Sequence, residues 1–279
     1  MSSSSRVLVA GCGYVGARAA ELLAARGDEV FGVRRSRSPA PESVTPLALD
    51  LLDGDLDALP PDLDAVVWAV SPSPDPAGYR RAYVEGPARL LAHLERRGDP
   101  VRRAALVGST SVWHRTDGGE VDERTPPSPR DFRGEAVLAG EQAIRGFAAE
   151  SVALRLSGIY GPGRTWLVDR IASGQLAPPR AAVHGNRIWR DDAAKAVVHA
   201  LTMADPAPVY VVSDDNPADL REVYAWIAAR LQVQLPEPTA DIAGRGGDKR
   251  CRSALLQASG FRLDVPDYRA GYAQLLKQR

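Results

Sequence analysis

Arg6-Val7-Leu8-Val9-Ala10-Gly11-Cys12-Gly13-Tyr14-Val15-Gly16 runs from a short apolar stretch into three closely spaced glycines and opens into Ala17-Arg18-Ala19-Ala20-Glu21-Leu22-Leu23. Read physically, the stretch is a strand, a tight turn and a helix start. Gly11, Gly13 and Gly16 stand in G-x-G-x-x-G spacing. Absent side chains permit the turn, let a pyrophosphate approach the backbone and bring helix close to strand, while unpaired N–H groups at the helix N-terminus attract an anion. Its place at the end of the first strand predicts a dinucleotide site formed by Gly11, Gly13, Tyr14, Val15 and Gly16, against the alternative of a purely structural glycine turn.

Working outward, strand and helix signals alternate. Val7 to Ala10 and a helix from Val15 to Arg26 are followed by the stop Gly27-Asp28 and a second strand, Glu29 to Val33. Leu47 to Asp50 reads as a short third strand, and Ala65 to Val70 as a fully buried fourth, broken by Ser71-Pro72-Ser73-Pro74. Helical periodicity fills Tyr79 to Arg97, with Ala82, Tyr83, Gly86, Leu90, Leu91 and Leu94 on one side. A strand at Ala104 to Val107, a helix at Gly134 to Glu150 and a strand at Val152 to Leu156 continue the rhythm. Beyond it come a helix at Asp191 to Met203, a strand at Val209 to Val212 and a helix at Leu220 to Leu231.

With right-handed crossovers, this implies an α/β fold: a doubly wound parallel Rossmann sheet, its ligand lying across the carboxyl ends of the strands, with a small C-terminal substrate lobe. The expected division is a nucleotide-binding domain over 1–158, to which 186–214 return, and a substrate lobe from 159–185 and 215–279. Strand ends then supply further candidate cofactor contacts: Asp50, Leu51, Ala69, Val70, Ser71, Ser157 and Ile159.

At 279 residues, with 44% apolar and 25% charged residues, the chain has an ordinary globular composition. Its 35 basic and 35 acidic residues cancel, so no nucleic-acid partner is expected. Cys12 and Cys251 make neither a disulfide framework nor a zinc quartet, and His93, His114, His184 and His199 are scattered, so no metal site is expected. The apolar run after Arg6 is too short for a signal-peptide core and no window suits a membrane span. The expectation is a cytoplasmic protein with no membrane partner.

Several ordered strings resemble the extended short-chain dehydrogenase/reductases, the NAD-dependent epimerase/dehydratase-like proteins. Val107-Gly108-Ser109-Thr110-Ser111-Val112-Trp113 resembles that family's Ser-Ser-x-x-Val-Tyr-Gly segment. Leu154 to Gly163, containing Tyr160-Gly161-Pro162-Gly163, resembles its Arg-x-x-Asn-x-Tyr-Gly-Pro-Gly segment, and Arg187 to Ala193 its Ile-His-Val-Asp-Asp segment. The resemblance implies a nicotinamide cofactor, a small-molecule substrate, oxidoreductase or epimerase chemistry, and a homodimer built from the helices at Tyr79 to Arg97 and Gly134 to Glu150. It also implies that Ser109 bonds the substrate oxygen; alternation aims Ser111 in a similar direction, and strand-end serines also serve as caps.

Departures from the pattern bear on activity. The family's Tyr acid/base and the Lys four residues later are missing: aligning Glu141 with the family's Glu puts Arg133 and Val137 in their places. The residues four before the three lysines are Asp191, Arg245 and Ala273, so no Tyr-x-x-x-Lys exists anywhere. A positioned acid/base contributes about 10²- to 10⁴-fold in rate. An enzyme with a substitute donor and a catalytically silent NADP(H)-binding sensor both remain as readings. Arg34 and Arg35 follow the second strand, where a carboxylate would bond the ribose 2′-hydroxyl of NAD; guanidinium there favours the 2′-phosphate of NADP. Asp50 resembles the family's adenine-contacting Asp, or merely caps a turn. His114, Arg133, Tyr160 and Arg164 are candidate substrate contacts. Histidine is a side-chain type suited to proton donation, which makes His114 a candidate substitute donor, and Tyr160 can equally pack and cap backbone. Asp191 and Asp192 read as a helix start.

Overall fold

The computed structural model describes residues 4–35, 41–148, 150–238 and 247–278. Seven parallel strands form one sheet, in the order Val209–Val212, Glu150–Leu156, Arg103–Ser109, Ala65–Trp68, Arg6–Ala10, Glu29–Arg34, Thr45–Ala48. The inner strands are buried on both faces, while the edge strand Thr45–Ala48 is largely exposed, and alternation divides the side chains between the faces. Val7 and Val9 face a core shared with the helices Gly16–Ala25 and Arg190–Thr202, while Leu8 and Ala10 face a core shared with Leu90, Leu91 and Leu94 of Gly86–Arg97. The strand order reverses beside Arg6–Ala10, where the second strand departs to one side and Ala65–Trp68 lies on the other. Ligands of such sheets bind at that switch point.

Element ends differ from the sequence reading for local reasons. The third strand is Thr45–Ala48 rather than Leu47 to Asp50, because Asp50 Oδ1 accepts from Leu52 N at 2.8 Å and turns the chain. The helical stretch expected from Tyr79 begins at Pro76, where Asp75 Oδ1 accepts from Gly78 N at 2.8 Å. It also carries a π-helical turn over Arg81–Glu85 before the α-helix Gly86–Arg97. Phe132–Ile144, capped by Asp131, ends well before Glu150, which begins a strand. Asp192 does more than start a helix: fully buried, it accepts from the amides of Asp264 and Val265, at 2.9 Å each, and ties that loop to the helix.

The C-terminal residues pack around Tyr160, Trp189, Tyr268 and Tyr272, drawing in the helices Trp166–Ala172, Leu220–Leu231 and Tyr268–Lys277. Two parallel strand pairs, Arg115–Val121 with Gly247–Cys251 and Gly158–Tyr160 with Arg187–Trp189, join distant segments. Asp214 lies buried nearby, with Oδ1 accepting from Asn216 N at 3.3 Å and Oδ2 without a partner. Burial pushes its pKa up to about 8.

An ion pair fixes the end of the strand Glu150–Leu156. Arg155 Nε and Nη2 donate to Glu141 Oε1 and Oε2 at 2.9 and 2.7 Å, both side chains are almost wholly buried, and the guanidinium lies 4.4 Å from the Trp113 ring centre. Replacing Glu141 by Ala leaves a buried cation uncompensated and is expected to cost about 3–5 kcal/mol in urea denaturation; a loss below 1 kcal/mol, on the order of a surface pair, would show the pair to be dispensable. The folded chain also holds a proton on Asp214 that the unfolded chain has released above its ordinary pKa of 3.8. Stability should therefore fall as pH rises from about 4 to 8. Asp214→Asn is expected to flatten that fall in unfolding midpoints measured across the window.

Candidate functional site

The glycine turn is shaped by backbone contact. Gly11 has φ +88°, and a Cβ there would lie 2.5 Å from the carbonyl carbon and oxygen of Ala69; one on Gly16 would lie 2.3 Å from Gly11 O. Gly13 meets nothing nearer than 3.9 Å, and faces open cleft. Gly11 N and Cys12 N donate to Val33 O at 3.2 and 2.9 Å, stitching the turn to the end of the second strand. The helix Gly16–Ala25 has Val15 as its cap and no side chain bonded to its first amides. Ala17 N is taken up by Gly13 O at 2.8 Å, and the positive end of the helix dipole attracts an anion to the turn.

A cleft of about 1210 Å³ runs over this turn. It is lined by Gly11, Gly13, Tyr14, Arg34, Arg35, Asp50, Leu51, Ala69, Val70 and Ser71 of the sequence-derived candidates. Arg18 and Arg190 also line it, and sequence reading did not single them out. Arg34 Nε donates to Cys12 O, bracing the glycine turn, while the more exposed Arg35 borders the cleft beside it. Asp50 combines a place on the wall with its turn-forming bond. Tyr14 donates its hydroxyl to Pro162 O at 2.9 Å, and the guanidiniums of Arg164 and Arg190 lie 4.0 and 5.5 Å from its ring centre.

Past Tyr14, Ala69, Val70 and Ser71 the cleft continues into an inner cavity of about 210 Å³ that also reaches Val15, Ser109, Ser157, Ile159 and Arg164. The Ser157 hydroxyl is buried without a partner, a donor and acceptor left over by the fold. An outer cavity of similar size, about 210 Å³, adjoins it, walled by Ser109, Ser111, His114, Arg133 and Val137 together with Tyr79, Tyr83, Arg130 and Asp131. The structure thus gathers Ser109, Ser111, His114 and Arg133, as the sequence grouped them. Ser109 Oγ accepts from Ser111 N at 3.1 Å across a short 3-10 turn, so it caps backbone and keeps its own proton to donate. Arg133 is held by Asp131 at 3.0 Å and lies over Phe132. Tyr160 stands apart: 6% exposed, it packs on Trp189 and Tyr272 and donates to Asp267 O at 3.3 Å, outside all three cavities. In the sequence Tyr83 was legible only as a member of an apolar helix face, and Tyr79 only as the start of that helix.

The donor set fits a nicotinamide dinucleotide. Glycines without Cβ atoms and a helix N-terminus with no side-chain cap suit the diphosphate, the long cleft suits the adenosine half, and an inner cavity with an unpartnered hydroxyl suits the carboxamide end. Among the described residues no His, Cys, Asp or Glu cluster could hold a metal ion, and no helix is long and apolar enough to cross a membrane.

Residues 7–213 match the family model of the NAD dependent epimerase/dehydratase family. Among solved structures, an NAD-dependent epimerase/dehydratase from Methylobacillus flagellatus is 34% identical, covers 99% of both chains and superposes with a TM-score of 0.82. MoeE5, solved with UDP-glucose and NAD, is 25% identical over 98% of this chain and 97% of its own, with a TM-score of 0.79. Thermus thermophilus UDP-glucose 4-epimerase, solved with NAD, is 22% identical over 95% and 96%, with a TM-score of 0.78. No curated protein matches the chain in sequence.

The glycine positions can be separated experimentally. Gly11→Ala combines an unfavourable positive φ with a backbone collision, and is expected to cost about 2–4 kcal/mol in urea unfolding. Gly13→Ala meets open space, so stability should change by about 0.5 kcal/mol or less. Its methyl fills the phosphate approach, and NADH or NADPH affinity should drop about tenfold or more, equivalent to roughly 1.4 kcal/mol. Equal effects of the two exchanges on folding and on titration would refute this division.

Proposed function

Because the chain belongs to the NAD-dependent epimerase/dehydratase family, we propose that it binds NADP(H) rather than NAD(H) and transfers a hydride to or from a carbonyl or carbinol carbon of a small molecule. The observation that carries the reading is a pair of adjacent cavities: one bordered by the glycine turn and Arg35, the other by Ser109, with Tyr14 and Ala69 in the walls of both. MoeE5 and the Thermus epimerase were both solved with NAD, which supports a nicotinamide dinucleotide here as well. The choice of NADP rests on Arg35, with Arg34 beside it, at the edge of the cleft beyond the second strand. A guanidinium there bonds a 2′-phosphate with charge assistance.

In this reading Gly11, Gly13 and Gly16, with the amides of Tyr14 and Val15, hold the diphosphate; Asp50 and Leu51 flank the adenosine; Ser71, Ser157 and Ile159 flank the nicotinamide. The bound nicotinamide supplies or accepts the hydride at C4. Ser109 donates its hydroxyl proton in a hydrogen bond to the substrate oxygen and orients it. Ser111, His114, Arg133 and Arg164 border the space left for the rest of the substrate, and Arg133 favours an anionic group there. Residues 1–158 with 186–214 form the nucleotide-binding body, 159–185 and 215–279 the substrate lobe. The helices Gly86–Arg97 and Phe132–Ile144 form the face on which two copies pair, and the protein works in the cytoplasm.

A second reading is favoured by one observation: Arg133 and Val137, which the alignment on Glu141 puts in the positions of the family's acid/base pair, both line the outer cavity. On that reading the chain is a silent NADP(H)-binding sensor. Fluorescence titration of purified protein is expected to show micromolar NADPH binding, tighter than NADH by tenfold or more, since hydrogen bonds to charged groups contribute about 1.5–3 kcal/mol. Arg35→Ala should remove the preference; equal weakening of both nucleotides would overturn the NADP assignment, and micromolar binding of neither would sink both readings. NADPH oxidation against a panel of aldehydes and ketones then separates them: turnover sensitive to Ser109→Ala marks the enzyme, its absence the sensor.

A further inference from the structure

The outer and inner cavities share two lining residues, Ser109 and Tyr83. A substrate oxygen placed between the nicotinamide pocket and the outer space must lie beside both. Other hydroxyl or titratable groups reach one side only: Tyr79, Ser111 and His114 line the outer cavity, while Tyr14 lines the inner one and has its hydroxyl engaged by Pro162 O. Among the described residues the Tyr83 hydroxyl has no hydrogen-bond partner and is not sealed away.

The backbone around Tyr83 is irregular and held in that state. It occupies the middle of the π-helical turn Arg81–Glu85, in which the Gly86 amide reaches back to Arg81 O. π-turns inside α-helices occur frequently at functional sites. On one side of Tyr83 the Ala82 carbonyl accepts from Trp68 Nε1 at 2.7 Å; on the other, Gly86 fits against Trp68 and Leu52, where a Cβ would come within 2.5–2.8 Å. From the facing helix Gly140 presses on the Tyr83 carbonyl, where a Cβ would lie 2.4 Å from its oxygen. The extra residue in the turn is therefore clamped on three sides, and it leaves Tyr83 on the wall that both cavities share with Ser109.

Resting on the oxidoreductase reading above, the geometry points to Tyr83 as the group that exchanges the substrate proton, in place of the absent Tyr-x-x-x-Lys. In reduction, the carbonyl carbon gains a hydride with its electron pair from C4 of the reduced nicotinamide, and the C=O π pair moves onto oxygen. The Tyr83 Oη proton passes to that oxygen, and the phenolate recovers a proton from water. Ser109 holds the same oxygen. Burial pushes the Tyr83 pKa up to about 12, so at neutral pH the phenol carries its proton, as a weaker acid than a solvated phenol.

The test uses 4-(dimethylamino)benzaldehyde, whose absorption moves to longer wavelength when its carbonyl oxygen accepts strong hydrogen bonds, added to the protein saturated with NADP⁺, where no turnover occurs. The expected result is a red shift with wild type that is lost in Tyr83→Phe, while the variant keeps its melting temperature and binds NADPH within twofold of wild type. With NADPH instead, reduction of the same aldehyde should fall about 10²- to 10⁴-fold in Tyr83→Phe. A shift or a rate untouched by Tyr83→Phe overturns the proposal, as does the lack of any shift with wild-type protein that binds NADP⁺. Failure of wild-type protein to bind either nucleotide would instead strike down the reading beneath it, and the proposal with it.

Discussion

The contact on which the structure turns is that between Gly11 and Ala69, two backbones pressed closer than any side chain allows. It sits where the strand order reverses, and it lets the first and fourth strands end together, with Ala69 N donating to Ala10 O at 2.7 Å. The cleft opens at that junction because the chain leaves the sheet there in two directions: into the helix Gly16–Ala25 behind, and toward Ser71 in front. The second strand is stitched to the same turn through Val33 O, and the Arg34 side chain adds a bond to Cys12 O. A turn held from both neighbouring strands keeps its amides aimed without any ligand to order them, which lowers the entropic cost of binding an anion.

The far end of the site rests on a different device. Glu141, on the helix Phe132–Ile144, reaches through to Arg155 on the strand Glu150–Leu156, and Arg155 supports the Trp113 ring that ends the Ser109–Trp113 segment. Lys249, buried at 2% exposure, donates to Trp113 O at 2.8 Å from the opposite side. It braces the wall behind the outer cavity, not the space within it, so it does not stand in for the family's missing lysine. Two buried cations thus hold one tryptophan, and through it the two serines.

What could be read in the sequence was what is encoded locally. The glycine turn, the apolar strands and the helix behind it follow from residues within a few positions of each other, and the parallel order follows from their alternation. The Arg115–Val121 strand was invisible because Thr116, Asp117, Gly118, Gly119 and Glu120 carry no apolar period and its partner lies at Gly247–Cys251. Tyr160 could not be placed for a similar reason. Its ring sits on Gly271, where a Cβ would be 2.1 Å from the hydroxyl, a fit between residues far apart in the chain. Ser109, Ser111, Arg133 and Val137 were grouped by resemblance, and Asp192 showed its place at a helix start but not its tie to Asp264 and Val265, whose amides belong to a distant loop.

Tyr83 shows why a site residue can hide in a helix. At an α-helical period it falls on the face with Leu90 and Leu94 and reads as packing, and its contact with Tyr79 at 5.8 Å between ring centres agrees. One inserted residue in the turn changes the phase by about 100°, the angle between successive residues of a 3.6-residue period. Such an insertion has no signature in composition, since it is imposed by Trp68, Gly86 and Gly140 from outside the segment. The glycine turn and the π-turn are opposite cases of one rule. Where the backbone must come close, the sequence shows it by omitting side chains; where a neighbour forces the backbone out of phase, the cause is written elsewhere in the chain.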